Sequence, residues 1–132
     1  MKAYIMRGIP GSGKSFIAQA LASKSKSSVV HSTDFYFYND KGEYVFDPSL
    51  LGEHHAANLE AFTRSCEKGV GTVICDNTNI LLEHYDPYVE VAEENGYSVR
   101  IITVDGVTPE EAFELNTHGV PLGALQRMCE AL

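Results

Sequence analysis

Short apolar runs alternate along this chain with longer stretches in which apolar residues return at helical spacing. Ala3-Tyr4-Ile5-Met6, Ser28-Val29-Val30-His31, Thr72-Val73-Ile74-Cys75 and the run from Ser98 to Val104 are rich in Val or Ile, or bounded by Gly and polar turn residues, and predict four strands. Phe16, Ile17, Ala20 and Leu21 predict the inner stripe of a first helix, and Leu51, His55, Leu59, Phe62 and Cys66 that of a second. Asp47-Pro48 and Asp86-Pro87 each offer an N-cap followed by proline at the first helical position. Thr108-Pro109-Glu110-Glu111 reads as a capping box, and Gly69, Gly96 and Gly119 stand where helices should end. Strand alternating with helix predicts an α/β fold, a parallel sheet with crossover helices. No repeat, low-complexity tract or linker divides the chain, so a single domain over residues 1–132 is expected, with its most flexible loop from Asp40 to Asp47.

The strongest chemical signal is Gly8-Ile9-Pro10-Gly11-Ser12-Gly13-Lys14-Ser15-Phe16, a Walker A loop between the first strand and the first helix. Glycines let successive backbone N–H groups turn inward around a β-phosphate, and the helix N-terminus adds its positive end. In this pattern Lys14 reaches the β- and γ-phosphates and the Ser15 hydroxyl holds Mg²⁺. Thr72-Val73-Ile74-Cys75-Asp76, an apolar strand ending in Asp, is the matching Walker B element, with Asp76 as the metal-orienting carboxylate. ATP and Mg²⁺ are the cofactors so predicted.

Ligands of an open parallel sheet gather beyond the carboxyl ends of its strands. Ser32-Thr33-Asp34, Asp76-Asn77-Thr78-Asn79 and Asp105 occupy those positions. Asp34 is the candidate base for an acceptor hydroxyl; its alternative is to cap the short turn from Phe35 to Tyr38. The aromatic run Phe35-Tyr36-Phe37-Tyr38, with Tyr44 and Phe46 nearby, fits either nucleobase stacking or a packed flap over the sheet edge. His54 and His55 are adjacent, point to different faces and make a poor metal pair.

Composition narrows the partners. Ten basic and eighteen acidic side chains give a net charge of −8, and no basic stripe suited to extended duplex DNA is visible. A nucleic acid partner should be gripped locally, near its end. The three cysteines lack CxxC spacing and read as reduced thiols. No run approaches the length of a membrane span, and the apolar stretch before Arg7 is too short for a signal peptide, so a cytoplasmic location is expected.

Taken together, Arg7 to Ser15, Ser32-Thr33-Asp34, Asp76-Asn77-Thr78-Asn79 and Asn116-Thr117-His118-Gly119-Val120-Pro121 resemble the small P-loop kinases related to bacteriophage polynucleotide 5′-hydroxyl kinase. The resemblance covers essentially the whole chain, in order. It implies a sheet of order 2-3-1-4, a helical lid, and transfer of the ATP γ-phosphate to a 5′-hydroxyl of an oligonucleotide, polynucleotide or nucleoside. It places Asp34 at the general base and Asn77 and Thr78 at the acceptor nucleotide. It also extends to His55 and Asn58, which could contact the acceptor or be hydrogen-bonded in the core.

One feature departs from that family. Its pattern has an arginine before the Asn of Asn116-Thr117-His118-Gly119, where this chain has Leu115, and no Lys or Arg occurs between Ile101 and Gln126. Such an arginine is worth about 10³–10⁵ in rate. Three classes therefore stay open: a 5′-hydroxyl kinase, a kinase for another small hydroxyl compound such as a sugar or nucleotide-sugar, and an ATP-binding module with weakened catalysis.

Overall fold

The computed structural model describes residues 1–132. Strands β1 (Lys2–Arg7), β2 (Ser28–His31), β3 (Thr72–Asp76) and β4 (Ser98–Thr103) form one parallel sheet in the order β2-β3-β1-β4. β3 is buried along its whole length, as an interior parallel strand with both faces covered must be. Helices α2 (Leu51–Glu67) and α3 (Leu82–Glu94) cover one face, where Phe62, Cys66, Tyr88 and Ala92 close over Ala3, Ile5, Val73 and Cys75. Helix α1 (Lys14–Ser23) covers the other, with Ala18 against Met6 and Ile74. Two short helices, α4 (Pro109–Leu115) and α5 (Leu122–Ala131), pack on each other beyond the sheet around Ala112 and Leu125, and bury Ile9 and Ile80 with them.

Several local expectations hold. Asp47 caps a short 3₁₀ turn, Pro48–Leu50, that leads into α2. Thr108 Oγ1 accepts from the Glu111 N–H at 3.1 Å while the Glu111 carboxylate accepts from the Thr108 N–H at 3.2 Å, the predicted capping box. Gly69 and Gly96 follow α2 and α3 with positive φ, where an L side chain would be strained.

Three expectations need correction. The buried face of α1 is Lys14 and Ala18, flanked by half-buried Ile17, Leu21 and Ala22; Phe16 and Ala20 face solvent, Phe16 at 81% exposure. The helix aims its N-terminus at the phosphate loop and approaches the sheet through the small Ala18, which rotates Phe16 outward. Helix α3 starts at Leu82, not at Asp86, and Pro87 lies inside it. Its real start is fixed by the His84 ring, whose Nδ1 accepts from the Leu81 N–H at 3.2 Å. Gly119 has φ +69 but lies within the α4–α5 loop rather than at a helix end. The stretch from Asp40 to Asp47 is a loop, as expected, and begins with a turn in which the Asn39 side chain accepts from the Lys41 and Glu43 N–H groups and Tyr38 bridges to Tyr44.

Candidate active site

The phosphate loop leaves β1 and enters α1 at Gly13, which has φ +91 and accepts the first helical bond from the Ile17 N–H at 3.2 Å. The N–H groups of Gly13, Lys14, Ser15 and Phe16 precede that bond and have no backbone partner. They form the donor set an anion requires. The loop admits no side chains at two points. A Cβ on Gly11 (φ +83) would lie 2.2 Å from the Ala112 carbonyl oxygen, and one on Gly8 would lie 2.7 Å from Ser12 Oγ. Ile9 is buried under the α4–α5 pair, and Pro10 begins the turn that Ser12 closes by donating its N–H to the Ile9 carbonyl.

Lys14 Nζ stands 3.6 Å from Asp76 Oδ1, with both residues buried. That Asp76 oxygen has no hydrogen bond, an expensive state for a buried carboxylate unless a cation answers it. The set fits Mg²⁺, a hard cation that takes oxygen ligands. Asp76 and the exposed Ser15 are the residues that would hold it.

The ends of β2 and β3 are laced together. Asn77 Oδ1 accepts from the Thr33 N–H at 2.9 Å, which fixes the 3₁₀ turn Thr33–Phe37 and the carboxylate within it. Ser32 caps that turn, accepting from the Asp34 N–H at 3.3 Å, so Asp34 is not the cap and its carboxylate faces the cleft. The following loop is tied to β1: the Thr78 carbonyl accepts from the Gly8 N–H, and Asn79, with φ +47, donates from Nδ2 to the Met6 carbonyl at 2.8 Å. Arg7 completes the lacing. Its guanidinium donates to the carbonyls of Asn79 (2.8 Å) and Ile80 (2.7 Å) and lies 4.9 Å over the Tyr85 ring.

On the lid side, His118 meets Asp34. Its Nδ1 is 3.5 Å from Asp34 Oδ2, its Nε2 is 3.3 Å from the Tyr38 hydroxyl, and its ring stacks on Tyr44 at 4.0 Å. The Tyr44 hydroxyl donates to Asp34 Oδ1 at 3.2 Å. Burial and the neighbouring carboxylate push that phenol above its usual range, so Tyr44 stays a donor. Leu115 is 65% exposed and therefore does not pack under the lid.

Two cavities meet at these residues. The first, about 180 Å³, runs from Pro10 to Phe16 and is closed by Asp34, Thr78, Leu115 and His118. The second, about 320 Å³, lies between the strand ends and the lid, where Asp34, His55, Asn77 and Thr78 face Phe46, Val120 and Pro121. Neither lining beyond Lys14 contains a Lys or Arg. The structure thus gathers every sequence-predicted site residue except Ile9, Gly8 and Asp76 onto these two walls, with those three directly beneath the cradle.

His55 and Asn58 separate. His55 is exposed to the cleft with Nδ1 3.2 Å from Thr33 Oγ1, and burial first, then the other histidines, hold it below the usual histidine range. Asn58 is 1% exposed and donates to the Tyr88 hydroxyl at 2.9 Å, deep in the core. Phe37 is the packed centre of the aromatic run, against Tyr44, Phe46 and the His54 ring, while Phe35, Tyr36 and Tyr38 stay partly exposed. The lacing roles of Arg7 and Asn79 were not foreseen; the one signal for them was an arginine and an asparagine at the carboxyl ends of adjacent strands.

Residues 4–117 match the protein family described as AAA domain. This chain belongs to that family. It is 39% identical over 129 residues to human NEDD4-binding protein 2, a match that covers 96% of the chain and 7% of that protein's length. Among solved structures, it resembles a chain of the Pnkp1/Rnl/Hen1 RNA repair complex with TM-score 0.79 at 19% identity, over 99% of this chain and 43% of that one. A gluconokinase from Sinorhizobium meliloti matches with TM-score 0.63 at 18% identity, over 99% of this chain and 74% of that one. The AAA domain therefore has the fold of P-loop kinases, with the predicted strand order. No helix is long and apolar enough to cross a membrane.

Proposed function

We propose that this AAA domain is an ATP-dependent kinase that transfers the γ-phosphate to the 5′-hydroxyl of an oligonucleotide, polynucleotide or nucleoside. The observation that carries the reading is the place of Asp34, on the wall common to the phosphate cavity and the second cavity. A base there can serve an acceptor in one chamber and a donor in the other. Lys14 and the free N–H groups from Gly13 to Phe16 bind the phosphates of ATP, and Asn77, Thr78 and His55 line the acceptor's chamber. The acceptor hydroxyl gives its proton to Asp34 as its oxygen bonds to the γ-phosphorus. The bond from that phosphorus to the bridging oxygen breaks, and ADP leaves with the electron pair. Mg²⁺ held by Asp76 and Ser15 would offset negative charge on the β- and γ-phosphates.

The likeness to a chain of an RNA repair complex favours a nucleic acid end over a sugar as acceptor. With no Lys or Arg on the acceptor cavity, that end is held by few phosphates, and extended duplex binding is not expected. One observation favours a second reading, an ATP-binding module with weakened catalysis: exposed Leu115 borders the phosphate cavity where the related kinases carry arginine.

Transfer of labelled γ-phosphate to oligonucleotides, nucleosides and sugars tests both readings. Asp34→Asn should slow transfer to a 5′-hydroxyl by about 10²–10⁴ while ATP affinity holds. Unchanged turnover in Asp34→Asn, or transfer to sugars alone, overturns the proposal. ATP binding with no transfer to any acceptor selects the second reading.

A further inference from the structure

The acceptor cavity does not end at Thr78. A larger cavity of about 520 Å³ opens between α2 and α3, and Leu51, His55, Asn77 and Thr78 belong to the walls of both. Its size lies within the roughly 300–1,000 Å³ typical of small-molecule sites. Its lining mixes apolar Leu59, Pro87 and Tyr88 with polar Glu83 and His84. The backbone adds an acceptor. Pro87 inside α3 has no N–H, so the carbonyl of Glu83 lacks its helical donor, and both residues are on the wall.

Charge decides what fits. The lining contains no Lys or Arg, and Glu83 is its one carboxylate. A phosphate there would face the Glu83 carboxylate with no Lys or Arg to answer it. A nucleobase is neutral, with flat apolar faces and an edge of donors and acceptors, and matches a lining that mixes apolar and polar side chains.

We propose that this chamber takes the nucleobase of the second nucleotide of a single-stranded acceptor, whose strand bends around Asn77 and Thr78 on leaving the first chamber. This rests on the kinase reading above and deepens it: the smallest efficient acceptor is a dinucleotide with a free 5′-hydroxyl. A third nucleotide adds little, because it lies beyond the chamber.

The test is the dependence of kcat/KM on acceptor length, using a nucleoside 3′-monophosphate, a dinucleotide and a trinucleotide. The wild-type value should rise about tenfold or more from the first to the second, as base stacking contacts do, and then level off. Ala56 is exposed and lines this chamber but not the acceptor chamber, so Ala56→Trp fills the space without disturbing the core. It should abolish the dinucleotide's advantage and leave the 3′-monophosphate rate unchanged, and Ala56→Leu should do so in part. Thermal melts matching wild type show that both variants are folded. Equal kcat/KM for 3′-monophosphate and dinucleotide overturns the inference but leaves the kinase reading standing, as does an advantage untouched by Ala56→Trp. Transfer to none of the three, with ATP still bound, overturns the kinase reading and the inference with it.

Discussion

The phosphate cradle and the lid border the same cavity, and they are anchored in different ways. Lys14, Ser12 and Asp76 are 8%, 7% and 4% exposed, fixed by β1, β3 and the start of α1. The lid rests on one small cluster, Ile9, Ile80, Ala112 and Leu125, while Phe113 and Leu115 are 48% and 65% exposed. It meets the phosphate loop at Ile9 and Gly11, and it meets Asp34 through His118, at 3.5 Å and with a stack on Tyr44. On the proposed function, nucleotide binding draws on groups buried at the sheet, and the rate of transfer draws on a more exposed element. Changes in the cradle should remove binding, and changes in the lid should tune rate.

The largest effect belongs to the cradle. Lys14→Ala removes the buried cation beside Asp76 and should abolish measurable Mg²⁺-ATP binding in calorimetry; near-wild-type affinity would break the comparison at its root. Gly11→Ala tests a point where cradle and lid touch. The added Cβ meets the Ala112 carbonyl at 2.2 Å and forces an L residue to φ +83, a strain of about 1–3 kcal/mol before the lid gives way. Weaker ATP binding and a lower Tm are expected together. Loss of neither would show that the lid moves away from Gly11 at no cost.

The same division governs how much could be read from the chain. Cradle residues are tied to their neighbours in sequence, so the loop from Gly8 to Phe16, the strand ending in Asp76 and the strand from Ser28 to His31 stood out directly. Errors arose where a distant contact overrides a local pattern. Asp86-Pro87 looks like a helix start, yet the His84 ring caps Leu81 earlier and the helix tolerates Pro87 within it. Phe16 suits an inner stripe by spacing, but the sheet receives Ala18 instead. Arg7 adjoins the phosphate loop in sequence, but its guanidinium is committed to two carbonyls on the β3–α3 loop. Arg64 is paired with Glu60 on the exposed side of α2. His118 reaches Asp34 and Tyr44 from a segment far away in sequence, and no local pattern announces that meeting.

A smaller effect, and one of opposite sign, is expected at Leu115. Its exposure means that Leu115→Arg buries no charge, so the fold should tolerate the change with an unaltered Tm. The side chain borders the phosphate cavity, and a guanidinium there can answer charge on the transferring phosphoryl. Turnover should rise by about tenfold or more with ATP affinity nearly constant. A lower Tm with no gain in rate would show that the lid is not a missing-cation device.

The smallest effect should come from His118, in the loop between α4 and α5. Its ring lies on the wall shared by the two cavities, next to Asp34 and stacked on Tyr44. His118→Arg sets a fixed positive charge there. The Asp34 and His118 side chains are 43% and 22% exposed, so solvent screens the contact, and about 0.5–1 kcal/mol is a fitting scale. The corresponding rise in turnover is roughly two- to fivefold. His118→Gln keeps a polar side chain on the wall and carries no charge, so it should give none of that gain. Equal turnover in His118→Arg and His118→Gln would leave His118 as a stacking contact that closes the lid.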